Sequence, residues 1–147
     1  MNKIRGILVV ELIAMIGTAV WGIGDAYAMN TTDNQAKKAV KIVQTAGRQQ
    51  LGKFAPDFAR YNDDILFGEV WSKNDVLPLK ERSIVTVSAL IAQGITDSSL
   101  KYHMETAKKN GVTKDEMAEI ITQLAFYSGW PKAWAAFGYA KEVYGSV

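Results

Sequence analysis

The segment from Leu79 to Gln93 constrains the fold more than any other part of this chain, because it is apolar on nearly every side. Its β-branched residues also suit a strand, but its length and the flanking Pro78 and Gly94 favour a buried helix. A helix without a polar face needs neighbours on every side. The segment therefore predicts either the centre of a helical bundle or a contact between subunits.

Capping residues, prolines and glycines divide the region before this segment into two further helices. The polar residues 31–34 are typical N-caps, and apolar residues then recur at helical spacing over residues 36–51. A second helical segment is predicted over residues 56–71, with Gly68 at a position where a helix can bend or end. Residues 72–78 are predicted to form a polar loop.

Three more helices follow the apolar segment. Thr96 or Asp97 caps a helix that ends at residues 110–111, residues 113–116 match a capping box, and Pro131 starts the last helix. The apolar residues at helical spacing in the last two helices are Met117, Ile120, Ile121, Leu124 and Ala125, then Trp134, Phe137 and Ala140 or Lys141. Since no stretch alternates with a period of two, the predicted fold class is all-α, and the short loops favour antiparallel neighbours in a bundle.

The N-terminal residues 1–28 contain the parts of a secretory signal peptide. A basic start precedes an apolar run over residues 7–23, and residues 26–28 supply the small-x-small end after which cleavage is expected. Residues 29–147 would then form one exported domain, periplasmic or secreted, without a membrane partner.

Two alternatives to export stay open. Glu11 interrupts the apolar run and Asp25 lies close to the cleavage point, so an uncleaved N-terminal anchor is the first alternative, although the run is short for a membrane span. A start at Met29 is the second, and it would leave a cytoplasmic protein.

Composition excludes several classes of function. The chain has 17 basic and 15 acidic residues, dispersed without a basic block, so nucleic acid is not a predicted partner. It has no cysteine, which removes thiol redox chemistry, thiolate nucleophiles and disulfides. The sequence also lacks repeated metal-ligand spacings, a glycine-rich phosphate loop and a serine nucleophile elbow. No metal or cofactor is predicted, and acid–base chemistry on a small molecule remains.

His103 is the only histidine of the chain, and it shares a helical face with Leu100, Met104 and Ala107. This spacing predicts that the imidazole faces the protein interior and not open water. An imidazole in that position is either a buried structural group or a proton carrier in a pocket.

Other side chains are candidates for the same chemistry, and each has a structural alternative. Glu69, beside Trp71, is either a surface carboxylate or a desolvated acid or base. Arg82 either pairs with a nearby surface carboxylate or binds a substrate carboxylate through its two nitrogens. Glu116 is a further candidate, but the capping box explains it. Tyr127 could act as a hydroxyl donor. The aromatic group Trp130, Trp134 and Phe137 more often belongs to a core or an interface than to a substrate site.

Five stretches of this sequence carry a resemblance to a known family. They are F-G-E-V-W-S at residues 67–72, L-K-E-R-S-I-V-T-V at 79–87, H-M-E-T-A at 103–107, N-G-V-T at 110–113 and A-F-Y-S-G-W-P-K-A at 125–133. Across residues 56–145 the chain resembles the carboxymuconolactone decarboxylase family. The resemblance implies an alkylhydroperoxidase-D-like bundle of about six helices. It also implies a homo-oligomer, a trimer or hexamer, with sites near subunit boundaries.

The same resemblance implies a reaction and a set of catalytic residues. The peroxidase branch uses a Cys-x-x-Cys pair that this chain lacks, so the decarboxylase branch fits better. Its type reaction removes carbon dioxide from 4-carboxymuconolactone without a cofactor. By the match, Arg82 would orient a carboxylate or the developing oxyanion, and His103 would deliver or relay a proton. Glu69 would set the protonation state of the imidazole or share its role in proton transfer.

Two features set this chain apart from the family pattern. Lys73 stands where members commonly carry an arginine, and a lysine cannot bind a carboxylate through two nitrogens. The predicted export also separates the chain from a cytoplasmic degradation pathway. The alternative functions are a non-catalytic exported oligomer that binds a small ligand, and a purely structural oligomer.

Overall fold

The computed structural model describes residues 38–145, and all of their regular structure is helical. The elements are α1 (Ala46–Leu51), α2 (Pro56–Arg60), a π-helix (Tyr61–Trp71), α3 (Leu79–Gln93), α4 (Ser98–Lys109), α5 (Lys114–Ser128) and α6 (Trp130–Tyr144). No strand occurs within this range, which confirms the all-α prediction. The predicted signal peptide lies outside the described residues. Within them, no helix has the length and apolar character needed to cross a membrane.

Helices α3 to α6 enclose the hydrophobic core. Contacts join α3 to α4 and α5, and α6 to α3, α4 and α5. The core consists of Val87, Ile91, Leu100, Met104, Ala107, Val112, Met117, Ile121, Ala125, Ala133, Ala136 and Ala140. Its apolar residues recur every three or four positions along each helix, so burying them removes one continuous stripe per helix from water.

Local capping explains where these helices begin and end. Asp97 accepts a hydrogen bond from the Ser99 backbone at 2.8 Å, so Asp97 and not Thr96 is the N-cap of α4. Thr113 and Glu116 form the predicted capping box at the start of α5, with bonds of 3.2 and 2.8 Å. The predicted bounds of α3 are also confirmed, and its left-handed C-cap is Gly94 at φ 79°.

The prediction of one helix over residues 36–51 is wrong for residues 38–45. Residues 38–45 are not helical, and α1 begins at Ala46. The side chain of Asn74 accepts a bond from the Val40 amide at 2.8 Å and donates to the Val40 carbonyl at 2.7 Å. The hydroxyl of Ser72 accepts a bond from the Ile42 amide at 2.8 Å. The later loop thus supplies the backbone bonds that a helix would otherwise make within itself.

The second predicted segment is helical but continues through Gly68, since α2 widens into a π-helix that reaches Trp71. Such helices are rare and frequently occur near functional sites. The π-helix carries Asp63, which is 2% exposed and accepts 2.9 Å bonds from the backbone amides of Gly47 and Arg48. A Cβ on Gly47 would lie 2.7 Å from an Asp63 oxygen, so α1 approaches this closely only because residue 47 is glycine.

Two helices of the bundle bury different faces from those that periodicity suggests. In α6 the buried residues are Ala133, Ala136 and Ala140, while Trp134 is 73% exposed, so the inner face is shifted by one residue. In α3, Val85 is 59% exposed, so one side of this apolar helix faces away from the bundle. Small alanine side chains allow helices to pack closely, which explains why they and not the tryptophans occupy the inner face of α6.

Replacing Asp63 by asparagine should destabilise the fold by roughly 2 kcal/mol, because a buried charged acceptor holds two backbone donors of α1. Urea unfolding measures the loss. The matched control is Asp75→Asn, an exposed loop carboxylate, which should change the free energy of unfolding by less than about 0.5 kcal/mol. Equal effects of the two substitutions would contradict this role of Asp63.

Candidate functional site

His103 lines a cavity of about 360 Å³ between α4 and the N-terminal helices. The wall consists of Gln44, Ala46, Gly47, Gln50, Leu51, Phe58, Asn62, Leu66, Phe67, Tyr102 and His103. It is thus built from the segment before α1, α1 itself, α2, the π-helix and α4. Its polar groups are three side-chain amides, a phenol and an imidazole, among apolar side chains. A mostly apolar concave surface with a few polar groups is typical of a small-molecule site.

The position of His103 follows from the packing of α4. Leu100, Met104 and Ala107 are fully buried in the core, as the helical spacing predicts. His103 lies at the edge of that face, where it is half-buried and opens to the cavity. The ring of Tyr102 meets the imidazole edge-on, with 5.1 Å between ring centres. His103 therefore lies in a pocket and is not fully buried in the core, while its role as a proton carrier stays a prediction.

Burial lowers the pKa of His103 below its ordinary value of 6.5. Desolvation disfavours the charged imidazolium, so the neutral ring is favoured near neutral pH. No carboxylate among the described residues contributes to this shift. The imidazole is therefore tuned by its apolar surroundings, and it can accept or relay a proton at neutral pH.

Sequence reasoning missed most of the cavity wall. The amides of Gln44, Gln50 and Asn62 belong to segments that periodicity treats as plain helix, and polar residues there carry no local signal of a site. Gly47 also forms part of the wall, and its close approach to Asp63 brings α1 next to the π-helix. Contacts between segments far apart in the chain create this surface.

Glu69 and Arg82 lie outside the cavity lining of this chain. Glu69 is exposed on the π-helix. Arg82 is half-buried in the first turn of α3, and its Nη2 donates to the Lys73 carbonyl at 2.9 Å. Its Nε is buried without a hydrogen-bond partner among residues 38–145. Within one chain the structure thus places His103 in the cavity and the other two predicted site residues elsewhere.

The remaining candidates have structural or surface positions. Glu116 belongs to the capping box and also pairs with Lys80 at 2.6 Å. Tyr127 is 82% exposed. Trp130 and Trp134 are also largely exposed, at 55% and 73%. In the part of the chain that the structure describes, no three metal-ligating side chains come together.

Comparison with known proteins identifies the family. A model of the carboxymuconolactone decarboxylase family matches residues 56–142, which includes α2 to α6 almost completely. The chain belongs to this family. Across residues 38–145, six α-helices and the π-helix form the all-α, alkylhydroperoxidase-D-like architecture that the sequence predicts.

Two relatives of this family member are similar over most of their length. The 4-carboxymuconolactone decarboxylase of Acinetobacter baylyi is 40% identical over 96 residues, which cover 65% of this chain and 70% of that protein. An uncharacterized 15.0 kDa protein of Paracoccus denitrificans, encoded between nqo9 and nqo10, is 30% identical over 95 residues, covering 64% of this chain and 70% of that protein. The family match begins at Pro56, so α1, which forms one side of the His103 cavity, lies outside it.

The lowered pKa of His103 predicts a pH dependence of stability. His103 binds a proton more readily in the unfolded chain than in the folded one. Its contribution to the free energy of unfolding is therefore complete above pH 6.5, and it is lost as the pH falls through the pKa of the folded state. Urea unfolding at about pH 7.5 and about pH 5 should show a larger loss of stability for the wild type than for His103→Gln. Identical losses in the two proteins would contradict a desolvated imidazole.

Proposed function

We propose that this protein is a cofactor-independent decarboxylase that acts on a small unsaturated lactone or carboxylic acid, with His103 as the proton carrier. The observation that supports this most is the position of the imidazole, half-buried in a largely apolar cavity with its pKa lowered by burial. The 40% identity to a protein named 4-carboxymuconolactone decarboxylase supports the same reaction class.

The proposed chemistry requires no electron acceptor. The bond between the ring carbon and the carboxylate breaks, and its electron pair moves through the alkene to the lactone carbonyl oxygen. Carbon dioxide leaves, and a proton from the imidazolium form of His103 returns to carbon. An apolar cavity favours this step because desolvation weakens the hold of water on the departing carboxylate.

Arg82 and Glu69 retain their proposed roles in a composite site between subunits. Both lie outside the His103 cavity of their own chain, so we assign them to the cavity of a neighbouring copy. There the guanidinium would hold the carboxylate or the oxyanion, and the Glu69 carboxyl would stabilise the imidazolium. The buried, unpaired Nε of Arg82 leaves this side chain with unused hydrogen-bonding capacity.

We expect the purified protein to release carbon dioxide from 4-carboxymuconolactone, and His103→Gln to lower kcat by about 100-fold or more, as for loss of a general acid. Because the imidazolium is the proton donor, kcat/KM should fall as the pH rises through the pKa of His103. Carbon dioxide release against pH measures both effects.

Two results would contradict this assignment. Full turnover by His103→Gln would show that His103 is not the proton carrier. Tight binding of the lactone without turnover would instead favour the alternative, an oligomeric protein that binds small ligands. Lys73→Arg is the informative companion variant, because an arginine can bind a carboxylate of a multiply charged lactone through two nitrogens.

A composite site also predicts complementation between inactive variants. His103→Gln chains and Arg82→Gln chains should each be inactive alone. Mixing them under conditions that exchange subunits should restore turnover, because some interfaces then combine an intact His103 with an intact Arg82. Urea unfolding of each variant controls for folding, since Arg82 also binds the Lys73 carbonyl. Two folded variants that stay inactive after mixing would overturn the composite site.

A further inference from the structure

A second cavity, of about 440 Å³, lies between the start of α5 and the end of α6, and shares no residue with the His103 cavity. It is lined by Lys114, Met117, Ala118, Phe137, Ala140, Lys141, Tyr144 and Gly145. Its walls are mostly apolar, and its size lies in the range of small-molecule sites. The proposed reaction uses none of these residues.

The Tyr144 hydroxyl is the unusual group in this cavity. Its oxygen is buried, and it has no hydrogen-bond partner among the described residues. Buried hydroxyl groups are nearly always hydrogen-bonded, so an unpaired one in a cavity wall indicates a missing acceptor or donor. Burial, with a smaller effect of Glu116, raises the pKa of Tyr144 to about 12, so the phenol stays protonated and can donate.

Two lysines line the same cavity as Tyr144. Lys114 and Lys141 are exposed at the cavity, and neither forms an ion pair with any residue in the range 38–145. The Lys108 ammonium lies 5.5 Å from the centre of the Tyr144 ring. The nearby carboxylate of Glu116 is paired with Lys80 at 2.6 Å. The charges that remain unpaired at this cavity are cationic.

We propose that the cavity between α5 and α6 is a second binding site, for a small amphiphilic carboxylate. The apolar tail would lie against Met117, Ala118 and Phe137. The carboxylate would accept a hydrogen bond from Tyr144 and lie near the ammonium groups of Lys114 and Lys141. A charged, acceptor-only head group on an apolar body satisfies each feature of the cavity at once.

Calorimetric titration of the full chain with two acids tests this proposal. Octanoate represents a lipid-derived acid, and 3-phenylpropionate represents a free aromatic acid. Binding of either acid supports a site for an amphiphilic carboxylate, and the acid that binds more tightly identifies the class of ligand. The matching neutral amides, octanamide and 3-phenylpropanamide, should bind more weakly by about tenfold, because a charged acceptor forms the stronger bonds.

Single substitutions locate the site. Tyr144→Phe should weaken acid binding by about fivefold, Lys141→Gln by about threefold, and Ala118→Leu should abolish it by filling the cavity. The matched controls are Tyr139→Phe, on the same helix, and Lys109→Gln, an exposed lysine; neither residue lines the cavity. All of these variants should retain the decarboxylase activity of the wild type.

Two outcomes would overturn the proposal. One is the absence of acid binding at millimolar concentration, which is also expected if a second copy or another part of this chain covers the cavity. The other is binding that Tyr144→Phe and Ala118→Leu leave unchanged. Stability supplies an independent readout, because Tyr144→Phe removes an unpaired buried hydroxyl and should not lower the urea midpoint. A lowered midpoint would mean that the hydroxyl already has a partner.

Discussion

The buried carboxylate of Asp63 holds together the part of the molecule that carries the candidate site. Burial by itself would raise the pKa of this group, but hydrogen bonds from the Asn62 side chain and from the Arg48 and Gly47 amides outweigh it and lower the pKa. A charge can remain inside because these donors replace water. The same bonds fix α1 against the π-helix, and both elements line the His103 cavity. The stability of this region and the shape of the site therefore have one physical cause.

Packing of α4 against α3 and α6 imposes the second constraint on the site. Once Leu100, Met104 and Ala107 are buried, the geometry of the helix leaves His103 at the boundary between core and cavity. The imidazole is thus desolvated enough for its pKa to fall, yet it remains accessible to a ligand. A position one step further around the helix would give either a fully buried ring or a solvated one.

The two cavities offer different chemistry to a ligand. The His103 cavity combines amides and an imidazole, and no lysine or arginine lines it within the described chain. The cavity between α5 and α6 combines lysines with a protonated phenol. We therefore assign proton transfer to the first and anion binding to the second. In the first cavity, any cation that holds a substrate carboxylate has to come from outside the lining of one chain.

The sequence by itself determined the all-α class, the bounds of α3, the capping box at Thr113, and the apolar face that carries His103. Each of these depends on residues within about one helical turn of each other, so a local pattern contains the information. Tertiary structure alone decided that residues 38–45 are not helical, since their bonds come from Ser72 and Asn74, some 30 positions later in the chain. It also decided that His103 lines a cavity together with side chains of α1 and the π-helix, whereas the other two predicted catalytic residues lie outside this cavity. Distances between remote segments follow from the packing of the whole core, and no local periodicity encodes them.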